Sequence, residues 1–235
     1  SANRLRDFKA ALDKLQFNRA GINFKRSSEA VLTASPLALE APTGELLSHV
    51  AAIRIEPGQR WLIRGASGSG KSTLMRALSG LWPHGNGDIT LPGSQATTLF
   101  VPQKSYIPEG SLKAALCYPD VEARFTTEQC RQALLDVGLT ERAGSLSVCD
   151  DWQKVLSGGE QQRLAIARVL LQQPQFVFFD EATSGLDTAS ERTLYQVVFA
   201  RLSNSAIISI SHNPQLDSHY SHQLNVTSAR HAVPA

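Results

Sequence analysis

Gly65-Ala66-Ser67-Gly68-Ser69-Gly70-Lys71-Ser72 is the stretch from which the rest of the chain is read. It satisfies GxxxxGK[ST] and stands where that pattern has a mechanism, after a short apolar run from Arg60 to Ile63 and before a helical pattern from Ser72 to Leu78 closed by Gly80. Glycines let backbone N–H groups wrap phosphate oxygens, and the helix N-terminus adds a positive dipole. Lys71 then reaches the β- and γ-phosphates of a nucleotide, and Ser72 offers a hydroxyl to Mg²⁺. The bland alternative is a flexible Gly/Ser turn before a helix. At a background glycine usage of about 7%, chance produces the full pattern in roughly one chain in a hundred of this size.

Outward from this loop, a second apolar run, Phe176 to Phe179, ends in Asp180 and Glu181, and a third, Ala206 to Ile210, ends near His212. Strands with polar residues at their carboxyl ends predict an α/β domain whose mainly parallel sheet carries its site at that edge. Alone, Asp180 and Glu181 read more simply as an acidic strand end before a turn. Beside a phosphate loop, Asp180 suits the Mg²⁺ shell, and Glu181 is placed to orient or deprotonate a water. Leu156-Ser157-Gly158-Gly159-Glu160 precedes a long helical pattern from Gln161 to Gln172, which makes Ser157, Gly158 and Gly159 either a plain N-cap with a Gly-rich lead-in or a second anion site.

Between Ser28 and Glu56, short apolar stretches alternate with Pro36, Pro42, Gly44, Pro57 and Gly58, which predicts an antiparallel β region. Helical patterns at Ser111 to Leu116 and Glu128 to Val137, stopped by Gly138, predict a small helical subdomain over Ser111 to Asp151. Leu5, Phe8, Leu12 and Leu15 predict an amphipathic helix near the start, and Ser221 to Ala235 reads as a peripheral tail.

With 235 residues, 42% of them hydrophobic, the chain can bury one large core. Its 23 Lys and Arg stand against 21 Asp and Glu, and a balance of +2 leaves no basic field for a nucleic acid backbone, so no nucleic acid partner is expected. No run approaches the roughly 18 apolar residues of a membrane-spanning helix. Cys117, Cys130 and Cys149 are odd in number and lack CxxC spacing, which points to free structural thiols in a reducing compartment. Starting Ser1-Ala2-Asn3, without an initiator Met or signal-peptide layout, the chain reads as a piece of something longer.

These residues together resemble the nucleotide-binding domain of an ABC-type ATPase over roughly residues 28 to 215. Gly65 to Thr73 is similar to the Walker A motif, and Phe176 to Asp180 with Glu181 to Walker B and its catalytic carboxylate. Leu156 to Glu160 matches the LSGGE signature, Ser184 to Asp187 the D-loop, Gln103 the Q-loop glutamine and His212 the switch histidine, all in family order. Leu81 to Gly87, Val101 to Leu112, Tyr118 to Asp120, and Asp151 with Trp152 are similar to subfamily D, the peroxisomal very-long-chain acyl transporter type, and its bacterial relatives, whose membrane domain precedes the ATPase on one chain.

The resemblance implies a P-loop NTPase of ABC type: a RecA-like, mainly parallel sheet core, an antiparallel β subdomain and a helical signature subdomain at about 105–170. Residues 1–27 become a connector from a membrane domain fused upstream of Ser1, 28–220 the ATPase domain and 221–235 a tail. ATP and Mg²⁺ are the implied cofactors. Gly65, Ala66, Ser67, Gly68, Ser69, Gly70, Lys71, Ser72 and Thr73 hold phosphates, and Ser72, Asp180 and Gln103 hold the metal. Ser157, Gly158 and Gly159 of a second copy cap the γ-phosphate in a head-to-tail homodimer. Glu181 and His212, with Lys71, carry the hydrolysis. Lys104 to Gly110 faces the membrane domain, with Tyr106 and Ile107 as contacts, the alternative being that Tyr106 is only packed locally; the domain lies on the cytoplasmic side of a membrane, the inner one in a bacterium.

The chain departs from the family's pattern at one point. Many members stack adenine on an aromatic residue about 25 positions before Walker A, yet no Phe, Tyr or Trp lies between Phe24 and Trp61, which leaves Pro42 or an aliphatic neighbour to cover the base. The alternative, a soluble ABC-type ATPase of DNA repair or translation, fits less well. Only about 85 residues, without sustained heptads, separate Walker A from the signature, and there is one Walker A.

Overall fold

The computed structural model describes residues 21–229. The helix expected over Arg4 to Leu15 lies outside them. At the centre is a parallel sheet in the order His222–Asn225, Arg60–Arg64, Ala206–Ile210, Phe176–Asp180, Thr98–Val101. Every residue of Phe176–Asp180 and Ala206–Ile210 is buried, because helices cover both faces of these strands and a strand buried on both faces has no polar face to alternate.

The period-two geometry of the strand divides the interior into two cores. Phe176 and Phe178 join Leu74, Met75 and Leu78 of the helix Lys71–Leu78 in one. Val177 and Phe179 join Leu164 and Val169 of the helix Gly158–Gln172, and Leu194 and Val198 of the helix Thr188–Arg201, in the other. Asp180 shares the parity of Phe176 and Phe178, so it ends its strand on the side of Lys71–Leu78. Because Phe178 is wholly buried at the sheet centre, Phe178→Ala is expected to cost about 3–5 kcal/mol of stability. A lowered denaturant midpoint with an unchanged slope would show it; a loss below about 1 kcal/mol would mean that the core closes over the gap.

The β region over 28–56 is present but recruits distant segments. One four-stranded sheet runs Asn23–Arg26, Asp88–Leu91, Leu32–Ala34, Ile53–Ile55, and the other Thr227–Ser228, Leu46–Val50, Leu37–Glu40, Gly85–Asn86. Asn23–Arg26 pairs with Asp88–Leu91 in parallel, so the first sheet is mixed rather than antiparallel. Two boundaries shift in consequence. Residues 22–26 belong to this sheet and not to a connector, since Ile22 is buried and Asn23–Arg26 is a strand. Residues 222–228 are not a peripheral tail: they supply an edge strand to the parallel sheet and a pairing to Leu46–Val50, with Val226 buried between them.

Helices occupy Leu112–Cys117, Thr127–Asp136, Trp152–Val155 and Gly158–Gln172. Their starts are written locally. Ser111 Oγ accepts from the Ala114 N–H at 2.9 Å, and Thr126 and Gln129 form a reciprocal capping box. Cys117 and Cys130 face each other in this layer, both buried, with Sγ atoms 3.8 Å apart, and burial pushes the Cys117 thiol up to about 12.

Candidate functional site

The loop from Gly65 to Gly70 leaves the strand Arg60–Arg64 and enters the helix Lys71–Leu78. Two positions require glycine. Gly65 has φ +151°, and a Cβ there would collide with the Val226 carbonyl oxygen. Gly70 has φ +96°, and its Cβ would lie 2.9 Å from Ser48 Oγ. The segment after His222–Asn225 therefore sets the floor of the loop. Ala66, Ser67 and Gly68 at the tip are exposed, Ser69 is buried, and Thr73 is half-buried in the first helical turn. Lys71 is buried, and its Nζ donates to the carbonyl oxygens of Gly65 and Ala66, each at 3.0 Å, which folds the ammonium back over the loop where an anion would sit.

Across the sheet edge, Ser72 Oγ donates to Asp180 Oδ1 at 2.7 Å. Burial pushes the Asp180 carboxyl up. The Ser72 hydrogen bond and the charges of Arg76 and Lys71 oppose that shift without cancelling it. A buried carboxylate beside a hydroxyl, both hard oxygen donors, suits Mg²⁺. Among the described residues no cluster of three or more His, Cys, Asp and Glu could hold a metal, so Asp180 has no further side chain of those types beside it to complete a cation site.

Glu181, the next residue, adopts φ +51°, a left-handed conformation uncommon for a non-glycine residue. It sends Oε1 to 3.2 Å from His212 Nε2. His212 is exposed and follows the end of Ala206–Ile210. Loops from two neighbouring strands thus bring a carboxylate and an imidazole together beside the phosphate loop.

Ser157 caps the helix Gly158–Gln172. Its Oγ accepts from the Glu160 N–H at 3.3 Å, and Glu160 Oε2 accepts from the Ser157 N–H at 2.9 Å. Burial raises the Glu160 carboxyl, but hydrogen bonds from Ser157 and the Arg142 guanidinium outweigh it and hold the group below the ordinary glutamate range. Gly158 and Gly159 line a cleft of about 440 Å³ with Gln103, Ser184 and Gly185. No residue of the phosphate loop lines it. Gln103 donates from Nε2 to Ser184 Oγ at 3.2 Å, and so contacts the D-loop-like turn rather than Ser72 or Asp180. Asp187 caps the next helix by accepting from the Ser190 N–H at 2.9 Å.

Tyr106 is 64% exposed but Ile107 only 3%, so Ile107 packs inside and cannot be a surface contact. Arg168, buried on the signature helix, donates to the Ala115 and Tyr106 carbonyl oxygens at 2.8 Å each and holds that segment to the helical layer. Near the expected adenine position, Trp82 Nε1 donates to the Glu40 carbonyl oxygen at 3.0 Å, so an aromatic ring reaches the turn before Pro42 from a distant part of the chain.

One polar group escaped the sequence reading altogether. Glu191 is buried on the helix Thr188–Arg201, where it accepts from Thr183 Oγ1 at 2.7 Å, Ser211 Oγ at 3.1 Å and Asn213 Nδ2 at 2.9 Å. A signal for it existed: Glu191 shares the helical face of Leu194, Tyr195 and Val198, where a carboxylate needs partners.

A strand, a glycine loop and a helix holding a buried lysine, with a carboxylate pair at the end of the strand next but one in the sheet, define a P-loop nucleotide-binding domain. Comparison with known proteins makes this specific. The ABC transporter family model matches residues 49–184, and the chain belongs to that family. An uncharacterized ABC transporter ATP-binding protein of Haemophilus influenzae is 35% identical over 95% of this chain and 37% of its own length. Subfamily D member 1 of Drosophila melanogaster is 34% identical over 78% of this chain and 26% of its own. The subfamily D likeness therefore stands. The chain spans about a third of the length of the curated relatives it matches. A solved bacterial Atm1-family ABC exporter with ATP bound shares the fold, with a TM-score of 0.71 at 24% identity over 89% of this chain and 38% of that one. No helix among the described residues is long and apolar enough to cross a membrane.

Proposed function

We propose that this chain binds ATP with Mg²⁺ and hydrolyses it to drive a solute through a membrane domain carried by a longer protein, on the cytoplasmic face of that membrane. The observation that carries the proposal is the gathering of Lys71 and Ser72 from one helix start, Asp180 and Glu181 from one strand end, and His212 from the next at one sheet edge. Lys71 and the loop amides hold the phosphates, Ser72 and Asp180 hold the metal, and Glu181 takes a proton from the attacking water while His212 keeps its carboxylate aimed. Bound Mg²⁺ neutralises charge developing on the phosphate oxygens.

The site needs a second copy, because the signature glycines line a cleft that no residue of the phosphate loop shares. In a head-to-tail pair, each nucleotide lies between one protomer's Lys71 loop and its partner's Ser157, Gly158 and Gly159. Loss of the γ-phosphate removes the anion joining two helix N-termini, and the pair opens. Gln103, on Ser184 in this structure, would move to the metal on closure. Tyr106 is the exposed contact for the membrane domain. The transporter family match favours this role over a soluble ATPase of DNA repair or translation.

The direct experiment is phosphate release by the purified chain. A steady rate with Mg²⁺ and ATP that chelation abolishes is the expected result. Bound ATP with no phosphate release, even when the membrane domain is supplied, would reduce the chain to a nucleotide-binding module.

A further inference from the structure

Glu191 has no part in the phosphate loop, the metal pair or the signature, yet it is the acceptor on which two functional loops converge. Its helix starts after Asp187, and it lines a cleft of about 300 Å³ together with Glu181, Ser184, His212 and Asn213. Three donors reach its two oxygens. Thr183 Oγ1 comes from the turn that begins at Glu181, and Ser211 Oγ and Asn213 Nδ2 come from the residues on either side of His212. All four residues are buried, so solvent does not compete for these bonds.

The turn needs such an anchor. Glu181 sits at φ +51° in a turn closed by the Ser184 N–H on its carbonyl oxygen at 3.1 Å, and a non-glycine residue persists there only when its surroundings over-determine it. The His212 loop is likewise held through its neighbours, since the Asn213 N–H donates to Ser211 Oγ at 3.1 Å while the imidazole is exposed.

We propose that Glu191 is a positioning residue that fastens the Glu181 turn to the His212 loop and so sets the separation of carboxylate and imidazole for attack by water. The proposal rests on the hydrolytic role argued above. It does not require Glu191 to touch the nucleotide or the water.

The test exploits the direction of the hydrogen bonds. In Glu191→Gln, an oxygen can still accept from Thr183 and Ser211, but the new amide N–H groups meet the Asn213 amide donor. In Asn213→Asp, two carboxylates face each other. The double variant, Glu191→Gln with Asn213→Asp, restores a donor facing an acceptor. Each single variant is expected to lower kcat for ATP about tenfold or more with KM within about twofold, and the double variant to recover most of the loss. Hydrogen exchange on the same proteins should show faster exchange at 181–186 and 211–215 in the singles, reversed in the double, with Phe176–Asp180 and Ala206–Ile210 unchanged.

Wild-type kcat in Glu191→Gln, or a double variant no better than the singles, would overturn the proposal. If the wild-type chain binds ATP without hydrolysing it, the hydrolytic role fails separately, and the exchange pattern still decides whether Glu191 ties the two loops.

Discussion

Glu181→Gln is expected to leave ATP binding intact and to lower phosphate release by about 10²- to 10⁴-fold, the usual contribution of a general base. The amide has the shape of the carboxylate and can keep the contact with His212 Nε2, now 3.2 Å from Oε1, so the loops should stay in place. What is lost is the capacity to take a proton. ATP then persists between the phosphate loop of one copy and the signature glycines of the other, and a dimer should accumulate. Light scattering at saturating Mg²⁺ and ATP reads the dimer, and a coupled phosphate assay reads the rate. Undiminished release would remove Glu181 from the chemistry. A variant that stays monomeric, with the membrane domain supplied, would remove the two-sided site.

Lys71→Ala should act one step earlier and abolish useful nucleotide affinity. Lys71 Nζ bonds the Gly65 and Ala66 carbonyl oxygens at 3.0 Å each while buried at the mouth of the loop. Removing it takes away the cation that faces the phosphates and leaves two carbonyl groups without their donor. Two hydrogen bonds from the ammonium to phosphate oxygens would be worth about 1.5–3 kcal/mol each, and their loss at 1.4 kcal/mol per decade amounts to roughly 10²- to 10⁴-fold in Kd. Titration calorimetry with ATP measures it, and a thermal scan without nucleotide confirms that the variant folds. Unchanged affinity would mean that this loop does not hold the phosphates.

The contrast between the two variants separates binding from chemistry. Glu181→Gln should raise dimer content and stop turnover, whereas Lys71→Ala should prevent both. Glu191→Gln is expected to fall between them, with affinity kept and rate reduced.

Much of the site is legible in the chain because its parts are short and local. A glycine loop, a capping serine or an acidic strand end is specified within about eight residues, and its chemistry follows from the residue types. The same holds for the buried strands Phe176–Asp180 and Ala206–Ile210, whose uninterrupted apolar runs reflect cover on both faces. Thr98–Val101, an edge strand only partly buried, carries just three apolar residues before Pro102 and passes unnoticed, although it delivers Gln103. Asn23–Arg26 and His222–Asn225 escape because each has a single apolar residue, and pairing with a distant strand, not composition, makes them strands.

Sequence by itself determined the class of this protein: a phosphate loop, its acidic partner strand, a second helix N-terminus with glycines and a histidine after a buried strand, in one order. Those are statements about neighbours along the chain. Tertiary structure alone decided that Ile107 turns inward while Tyr106 faces out, that Val226 floors the loop at Gly65, and that Gln103 rests on Ser184. It also decided that Glu191, ten residues after Glu181 and some twenty before His212, collects donors from beside both. The reason is physical. A local pattern encodes what a residue can do, but a buried carboxylate takes its meaning from the donors that surround it, and these come from segments that only the packed fold brings together.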